Sequence, residues 1–241
     1  MSAIQLGVEG VTKRFGGLTA VNDVSFALGQ GDILSLIGPN GAGKTTLFNL
    51  LTGQLAATAG KVFFDGADIT HYRPNQRARL GLGRTFQISQ TLTSLSVLEN
   101  AMIGAFLHHP RIADAADKAY AALERVGLAS RAKEEAGHLT LGERRRLEVA
   151  RALGLEPRLL LLDEVMAGLN QTELARIVDV VVALNASGQT IIVIEHNLKV
   201  VRTFSKRVLV LDRGKMIADG GADSVLQDPV VVEAYVGKKK Q

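Results

Sequence analysis

The run Ile33-Leu34-Ser35-Leu36-Ile37 stops at Gly38, and Gly38-Pro39-Asn40-Gly41-Ala42-Gly43-Lys44-Thr45 then spells G-x-x-x-x-G-K-T, a phosphate-binding loop pattern. No other stretch constrains the fold as tightly, because this pattern requires a buried strand, a tight loop and a helix start in immediate succession. The apolar, β-branched run supplies the strand. Gly38, Gly41 and Gly43 can take φ > 0 and carry no Cβ, so successive backbone N–H groups turn inward around an anion. A helix over Thr45 to Leu51, with Thr46 in its first turn, is expected to aim its positive end at the same anion. Lys44 is expected to reach the β- and γ-phosphates of a nucleotide and the Thr45 hydroxyl to ligate Mg²⁺.

At 241 residues with 46% hydrophobic content, the chain can bury a proper core, as one large domain or two small ones. It has no run of about eighteen apolar residues, and Met1 to Gly10 lacks a basic-then-apolar signal pattern. A soluble, cytoplasmic protein is expected. The absence of cysteine excludes disulfides and thiolate metal sites. Among His71, His108, His109, His138 and His196, only the adjacent pair His108-His109 comes close in sequence. That pair reads as a solvated loop before Pro110, so no structural metal is expected. The net charge of +4 and pI near 9.4 owe much to Lys238-Lys239-Lys240. With no helix of aligned Lys/Arg and no interleaved aromatics, this reads as a solvated tail rather than a nucleic-acid or membrane surface.

Ile4 to Val11, Val24 to Leu28 and Lys61 to Phe64 read as strands, the last entering a turn at Asp65-Gly66. They predict an antiparallel sheet beside a parallel one. Lys13 to Val21 reads as a connecting loop, on which Phe15 is either a core residue or a flat face for a purine ring. Thr70 to Gly83 is polar and basic and leads to Arg84-Thr85-Phe86-Gln87. Ser96 and Glu99 form a capping box opening a helix through Phe106, and Ala113 to Val126 reads as a second helix stopped by Gly127. The region looks like a helical insertion in an α/β core.

Leu139-Thr140-Leu141-Gly142-Glu143 opens another helix, through Leu153. Thr140 and Glu143 form a capping box, and the same hydroxyl and N–H groups make an anion site. Capping and phosphate binding draw on the same donors, and the residues support both equally. Leu159-Leu160-Leu161-Leu162 is a buried strand ending in Asp163 and Glu164, two carboxylates that a core does not place there without reason. Downstream of a phosphate-binding loop, Asp163 is expected beside Mg²⁺ and Glu164 to accept a hydrogen bond from an attacking water. Asn170 to Leu184 is an amphipathic helix with Leu174, Ile177, Val178, Val181 and Leu184 on one face. Thr190 to Ile194 is the next buried strand, and Glu195 and His196 stand at its end, where ligands gather in open α/β sheets. A single His there is more often structural. Val208 to Leu211 and Lys215 to Ala218 read as a hairpin around Asp212-Arg213-Gly214, and Asp228-Pro229 starts a helix to Tyr235.

In this order the pieces resemble the ATP-binding subunit of ABC transporters over nearly the whole chain. The resemblance implies an α/β fold: a P-loop NTPase (RecA-like) parallel-sheet core with a flanking antiparallel β subdomain and an inserted helical subdomain. It implies a single ABC ATPase domain over 1–241. Residues 1–88 and 155–220 would form the nucleotide-binding core and antiparallel region, 89–154 the helical subdomain, and 221–241 a C-terminal helix and basic tail. ATP and Mg²⁺ are the implied cofactors. By resemblance Phe15 takes the adenine-stacking position and Gln87 the Mg²⁺-sensing loop that meets the membrane partner. His196 takes the switch contacting the γ-phosphate. Leu139 to Glu143 takes the place of the L-S-G-G-Q signature, departing from it at Thr140, Leu141 and Glu143. Val165 replaces the Pro that usually follows the two acids, and Asn197 stands where Asp is frequent.

The family further implies a head-to-tail dimer with itself or a related ATPase, in which one subunit's signature covers ATP held by the other. Two membrane-spanning permeases would be direct partners, a solute-binding protein an indirect one, and no nucleic acid is expected. The chain would act at the cytoplasmic face of the cell membrane. Phe15 to Leu18, Arg84 to Gln87, Ala167 to Asn170, Ile194 to His196 and the ending Asp228 to Tyr235 are similar to the branched-chain amino-acid importer ATPases. Import of such amino acids or similar small solutes is the implied function. Gly142 to Arg146 and His196-Asn197 resemble lipopolysaccharide-export ATPases instead. A P-loop kinase leaves the signature and His196 unexplained. A soluble ABC-type ATPase acting on nucleic acid usually carries two cassettes or a coiled coil, and here there is one P-loop and no heptad run.

Overall fold

The computed structural model describes residues 3–85 and 91–236. In chain order its elements are β1 (Ile4–Phe15), β2 (Leu18–Gly29), β3 (Ile33–Ile37), α1 (Lys44–Leu51), β4 (Ala59–Phe64), β5 (Ala67–Asp68), α2 (Pro74–Arg79), β6 (Leu82–Arg84), α3 (Val97–Ala105) and α4 (Ile112–Arg125). There follow α5 (Leu141–Gly154), β7 (Leu159–Asp163), α6 (Gln171–Ala186), β8 (Thr190–Ile194), α7 (Leu198–Phe204), β9 (Arg207–Asp212), β10 (Lys215–Gly221), α8 (Ala222–Gln227) and α9 (Pro229–Val236). The described residues up to Arg77 together with those from Thr190 onward form one compact unit, and Ala78–Gln189 forms another.

The first unit carries an antiparallel sheet in the order β2-β1-β4-β5. Leu6, Val8 and Val11 of β1 and Val24, Phe26 and Leu28 of β2 turn inward, the alternation of strands with one covered face. Lys13 to Val21 is not a loop: β1 runs on through Phe15, Gly16-Gly17 makes the turn, and β2 returns with Phe15 opposite Leu18 and Lys13 opposite Val21. Cross-strand pairing overrides the local polar and glycine signal. In the second sheet of this unit β3 lies parallel to both β8 and β9, and β10 returns antiparallel to β9. Every residue of β3 and β8 is buried, as continuous apolar runs in a parallel sheet require. Ile37, Val201, Val208, Val210, Ala222, Val225 and Val231 form one apolar cluster, with Tyr235 packed against it.

Two short helices of this unit, α7 and α8, have no signal in the sequence, because each is too brief to show a 3.6-residue period. Arg77, 2% exposed, donates to the carbonyls of Leu50, Leu51, Thr70 and Tyr72. The last carbonyls of α1 are thereby satisfied from a distant segment. Burial pushes the Arg77 guanidinium down to about 10.

In the second unit β6 pairs parallel with β7. Ser96 caps α3 and exchanges hydrogen bonds with Glu99, and α4 buries Ala115, Ala119, Ala122 and Leu123, the i, i+4, i+7, i+8 face of a helix. Ile177, Val181 and Leu184 are the buried residues of α6. Among the described residues no helix is long and apolar enough to cross a membrane.

Candidate functional site

In the first unit the phosphate-binding loop joins buried β3 to α1. Gly38 has φ 149°, and a Cβ there would lie 2.1 Å from the carbonyl oxygen of Leu211; Gly43 has φ 103°, and its Cβ would lie 2.4 Å from that of Ala20. Any L side chain is therefore excluded by backbone on one side and conformation on the other. The turn between β9 and β10 buttresses the loop: Gly214 N–H donates to Ala42 at 2.9 Å and Asn22 N–H to Gly214 at 2.8 Å. Lys44 is 6% exposed, and its ammonium donates to the carbonyls of Gly38 at 2.7 Å and Pro39 at 3.1 Å. The loop thus holds a fixed positive charge against its own backbone. Asn40, Gly41 and Thr45 are exposed on its crest, Thr46 is half-buried and Ala42 is buried. The helix begins at Lys44, one residue before the predicted start, with no side-chain cap and no acidic residue in its first turn.

Phe15 ends β1 with 47% of its surface exposed, and the Lys13 ammonium lies 5.1 Å from its ring centroid. It is a surface aromatic rather than a core residue. His196 follows β8, its side chain 52% exposed. Its backbone N–H donates to Oε1 of the preceding Glu195 at 2.8 Å, and Asn197 caps α7 by accepting from Lys199 and Val200.

In the second unit β7 delivers Asp163, wholly buried and paired with Arg84 at 3.0 Å. Its backbone N–H donates to the Thr85 hydroxyl at 2.9 Å. No local sequence signal marks Arg84 as the partner of Asp163. Glu164 sits at φ 51°, a left-handed conformation that costs a non-glycine residue free energy and that clusters at functional positions. Gln87 lies outside the described residues.

The start of α5 is closed by its own chain. The Thr140 hydroxyl accepts from Glu143 N–H, and Glu143 Oε2 accepts from Thr140 N–H at 2.9 Å. Gly142 N–H donates to Glu173 Oε1 at 3.3 Å. Burial opposes ionisation of Glu143, yet Arg131 at 2.5 Å and the Thr140 N–H hold its carboxyl below the usual range. Leu139 is buried and Leu141 exposed. Thr140, Gly142, Glu143, Arg146, Glu173 and Arg176 line a small cavity of about 100 Å³. Capping, one of the two readings open in the sequence, is therefore realised at this helix.

The described residues contain no group of three or more His, Cys, Asp or Glu side chains able to hold a metal. The Thr45 hydroxyl and the Asp163 carboxylate are nonetheless hard oxygen donors, and Mg²⁺ characteristically takes few protein ligands beside substrate phosphates. The donor chemistry fits.

A family model described as ABC transporter matches residues 21–167. LivG, the high-affinity branched-chain amino acid transport ATP-binding protein of Escherichia coli (strain K12), is 39% identical over 99% of this chain and 100% of its own. BraF, its counterpart in Pseudomonas aeruginosa, is 37% identical over 99% of this chain and 100% of its own. Among solved structures, the ADP conformation of MJ1267, an ATP-binding cassette of an ABC transporter, superposes with TM-score 0.89 at 34% identity, covering 98% of this chain and 99% of that one. A nucleotide-free ATP-binding cassette from an ABC transporter gives the same TM-score, with 98% of this chain and 100% of that one covered. With the phosphate-binding loop on β3, the paired acids ending β7 and full-length likeness to these cassettes, the chain belongs to the ABC transporter family and has its P-loop NTPase fold.

Proposed function

We propose that this chain is the ATP-hydrolysing subunit of an importer for branched-chain amino acids or similar small solutes. It would work as a head-to-tail dimer with itself or a related ATPase. Its partners would be two membrane-spanning permeases at the cytoplasmic membrane face, fed indirectly by a solute-binding protein. One observation carries the reading: end-to-end likeness, at 37–39% identity, to relatives named branched-chain amino acid transport ATP-binding proteins. The Gly142 to Arg146 likeness to lipopolysaccharide exporters covers a few residues and does not compete with that.

In this reading the N–H groups of Gly41 to Thr45 and the Lys44 ammonium bind the β- and γ-phosphates. Phe15 stacks on the adenine. Thr45, Asp163 and Gln87 would hold Mg²⁺, which would supply charge neutralisation at the nucleotide phosphates. Arg84 holds the Asp163 carboxylate in place. Glu164 accepts a hydrogen bond from the attacking water, and His196 contacts the γ-phosphate as charge develops. The start of α5, with Leu139 to Glu143, closes over ATP held by the partner subunit.

Glu164→Gln tests the assignment. ATP is expected to stabilise a dimer of this variant in size-exclusion chromatography while steady-state hydrolysis falls by about 100-fold or more, the range of a lost general base. Undiminished hydrolysis removes Glu164 from the mechanism. Mass spectrometry of proteins co-purifying from native membranes tests the cargo class: importer-type permeases with a sister ATPase support it, and lipid-export partners overturn it.

A further inference from the structure

Strand β8 ends in a buried acid. Glu195 is 1% exposed, and a carboxylate so placed is costly unless hydrogen-bonded. Its Oε1 accepts from the backbone N–H of His196 at 2.8 Å and of Asn197 at 3.0 Å, and lies 3.5 Å from His196 Nδ1. Asn197 then caps α7 through the N–H groups of Lys199 and Val200. One carboxylate oxygen therefore holds the N–H groups of His196 and Asn197, and the next turn is tied down in sequence. The other oxygen, Oε2, is buried and has no hydrogen-bond partner among the described residues.

The phenol of Tyr235, on α9, lies near enough for the charge of Glu195 to act on it. Its hydroxyl is buried and has no hydrogen-bond partner among the described residues. Burial pushes the phenol up to about 12, with the negative charge of Glu195 adding to the rise. The nearby group thus stays neutral and sets no second charge against the carboxylate.

We infer that Glu195 is a positioning residue for His196: it fixes the backbone from which the imidazole projects and so sets where that exposed ring meets the γ-phosphate. This rests on the proposed role of His196 at ATP. The nucleotide is bound by the loop after β3, so loss of Glu195 misplaces His196 without unmaking the phosphate site.

The test is a double-mutant cycle on the full-length chain with Glu195→Ala, Glu195→Gln, His196→Ala and Glu195→Ala/His196→Ala. Steady-state ATP hydrolysis and equilibrium ADP binding are the readouts. Glu195→Ala is expected to lower kcat by about tenfold or more, the scale of a misplaced catalytic group, with ADP affinity within about twofold. Glu195→Gln, whose amide oxygen still accepts from both N–H groups, is expected to recover to within about threefold of the native rate. In the His196→Ala background Glu195→Ala is expected to cost nothing further, because residues acting through one another are non-additive. Equal losses in both backgrounds, or a glutamine variant as slow as the alanine one, overturn the inference. Should the alanine variant not fold, Glu195→Asp, one methylene too short to reach both N–H groups, replaces it in the cycle. If His196→Ala alone leaves hydrolysis unchanged, the role of His196 itself falls, a result distinct from additivity.

Discussion

Helices α1 and α5 both begin where an anion is expected, yet their first turns are equipped oppositely. The start of α1 has a glycine for its N-cap, no side-chain cap and no acid in the first turn. Lys44 adds a positive charge fixed by two carbonyls. The start of α5 has Thr140 and Glu143 exchanging hydrogen bonds, Glu173 on Gly142 N–H and Arg131 on Glu143. A helix N-terminus carries roughly half a positive charge and several unsatisfied donors. At α1 no side-chain cap or first-turn acid meets that demand, whereas at α5 the chain has met much of it itself. Similar local geometry thus serves a primary binding site in one place and a self-closed surface in the other. At α5 an incoming phosphate has to compete with carboxylates already seated.

The contrast is broken most severely at Lys44. Lys44→Ala is expected to weaken ADP binding by about 100-fold, or about 2.7 kcal/mol, because a charge-assisted phosphate contact is lost; isothermal titration calorimetry reads it. Nucleotide affinity within twofold of native would mean that the bare helix start suffices.

At α5 the expected effects are smaller and fall on stability. A Cβ on Gly142 would lie 2.8 Å from the Glu173 side chain, so Gly142→Ala is expected to cost about 1–3 kcal/mol by overpacking. Glu173→Ala in the same chain should recover much of that loss. Denaturant unfolding of the single and double variants checks the pair, and additive losses would show that Glu173 is not what crowds Gly142.

The smallest effect concerns Glu143. Glu143→Gln is expected to destabilise the chain by about 1 kcal/mol, the worth of a capping contact. The folded-state carboxyl lies below its ordinary value of 4.5. Its contribution is therefore present above the unfolded value and is lost as pH falls through the folded one. The stability gap between native and variant should hold from pH 7 to about 5 and close on further acidification. Thermal melts across that range read it, and a gap that widens with acid would refute the assignment.

Much of this was legible in the chain. The strand-loop-helix unit around Gly38, the capping boxes at Ser96 and Thr140, the buried run ending in Asp163 and the apolar face of α6 each rest on patterns within a dozen residues. What the chain does not show is of another kind. Phe15 reads as a loop residue because Gly16-Gly17 is a local breaker, and only pairing with β2 extends the strand as far as Phe15. Arg84 meets Asp163 across 79 positions, and Glu173 meets Gly142 across 31, separations at which no window reading operates. Glu195 was visible beside His196 as a residue type, but its orientation toward two backbone N–H groups was not.

The sequence by itself determined which chemistry the chain carries, since a phosphate-binding loop and paired acids after a buried strand are written in residue type and spacing. Tertiary structure decided which donors remain available and which are already satisfied. Hydrogen-bond satisfaction and burial depend on what folding brings alongside a group: Glu173 at Gly142, Arg84 at Asp163, and the Glu195 carboxylate beneath His196.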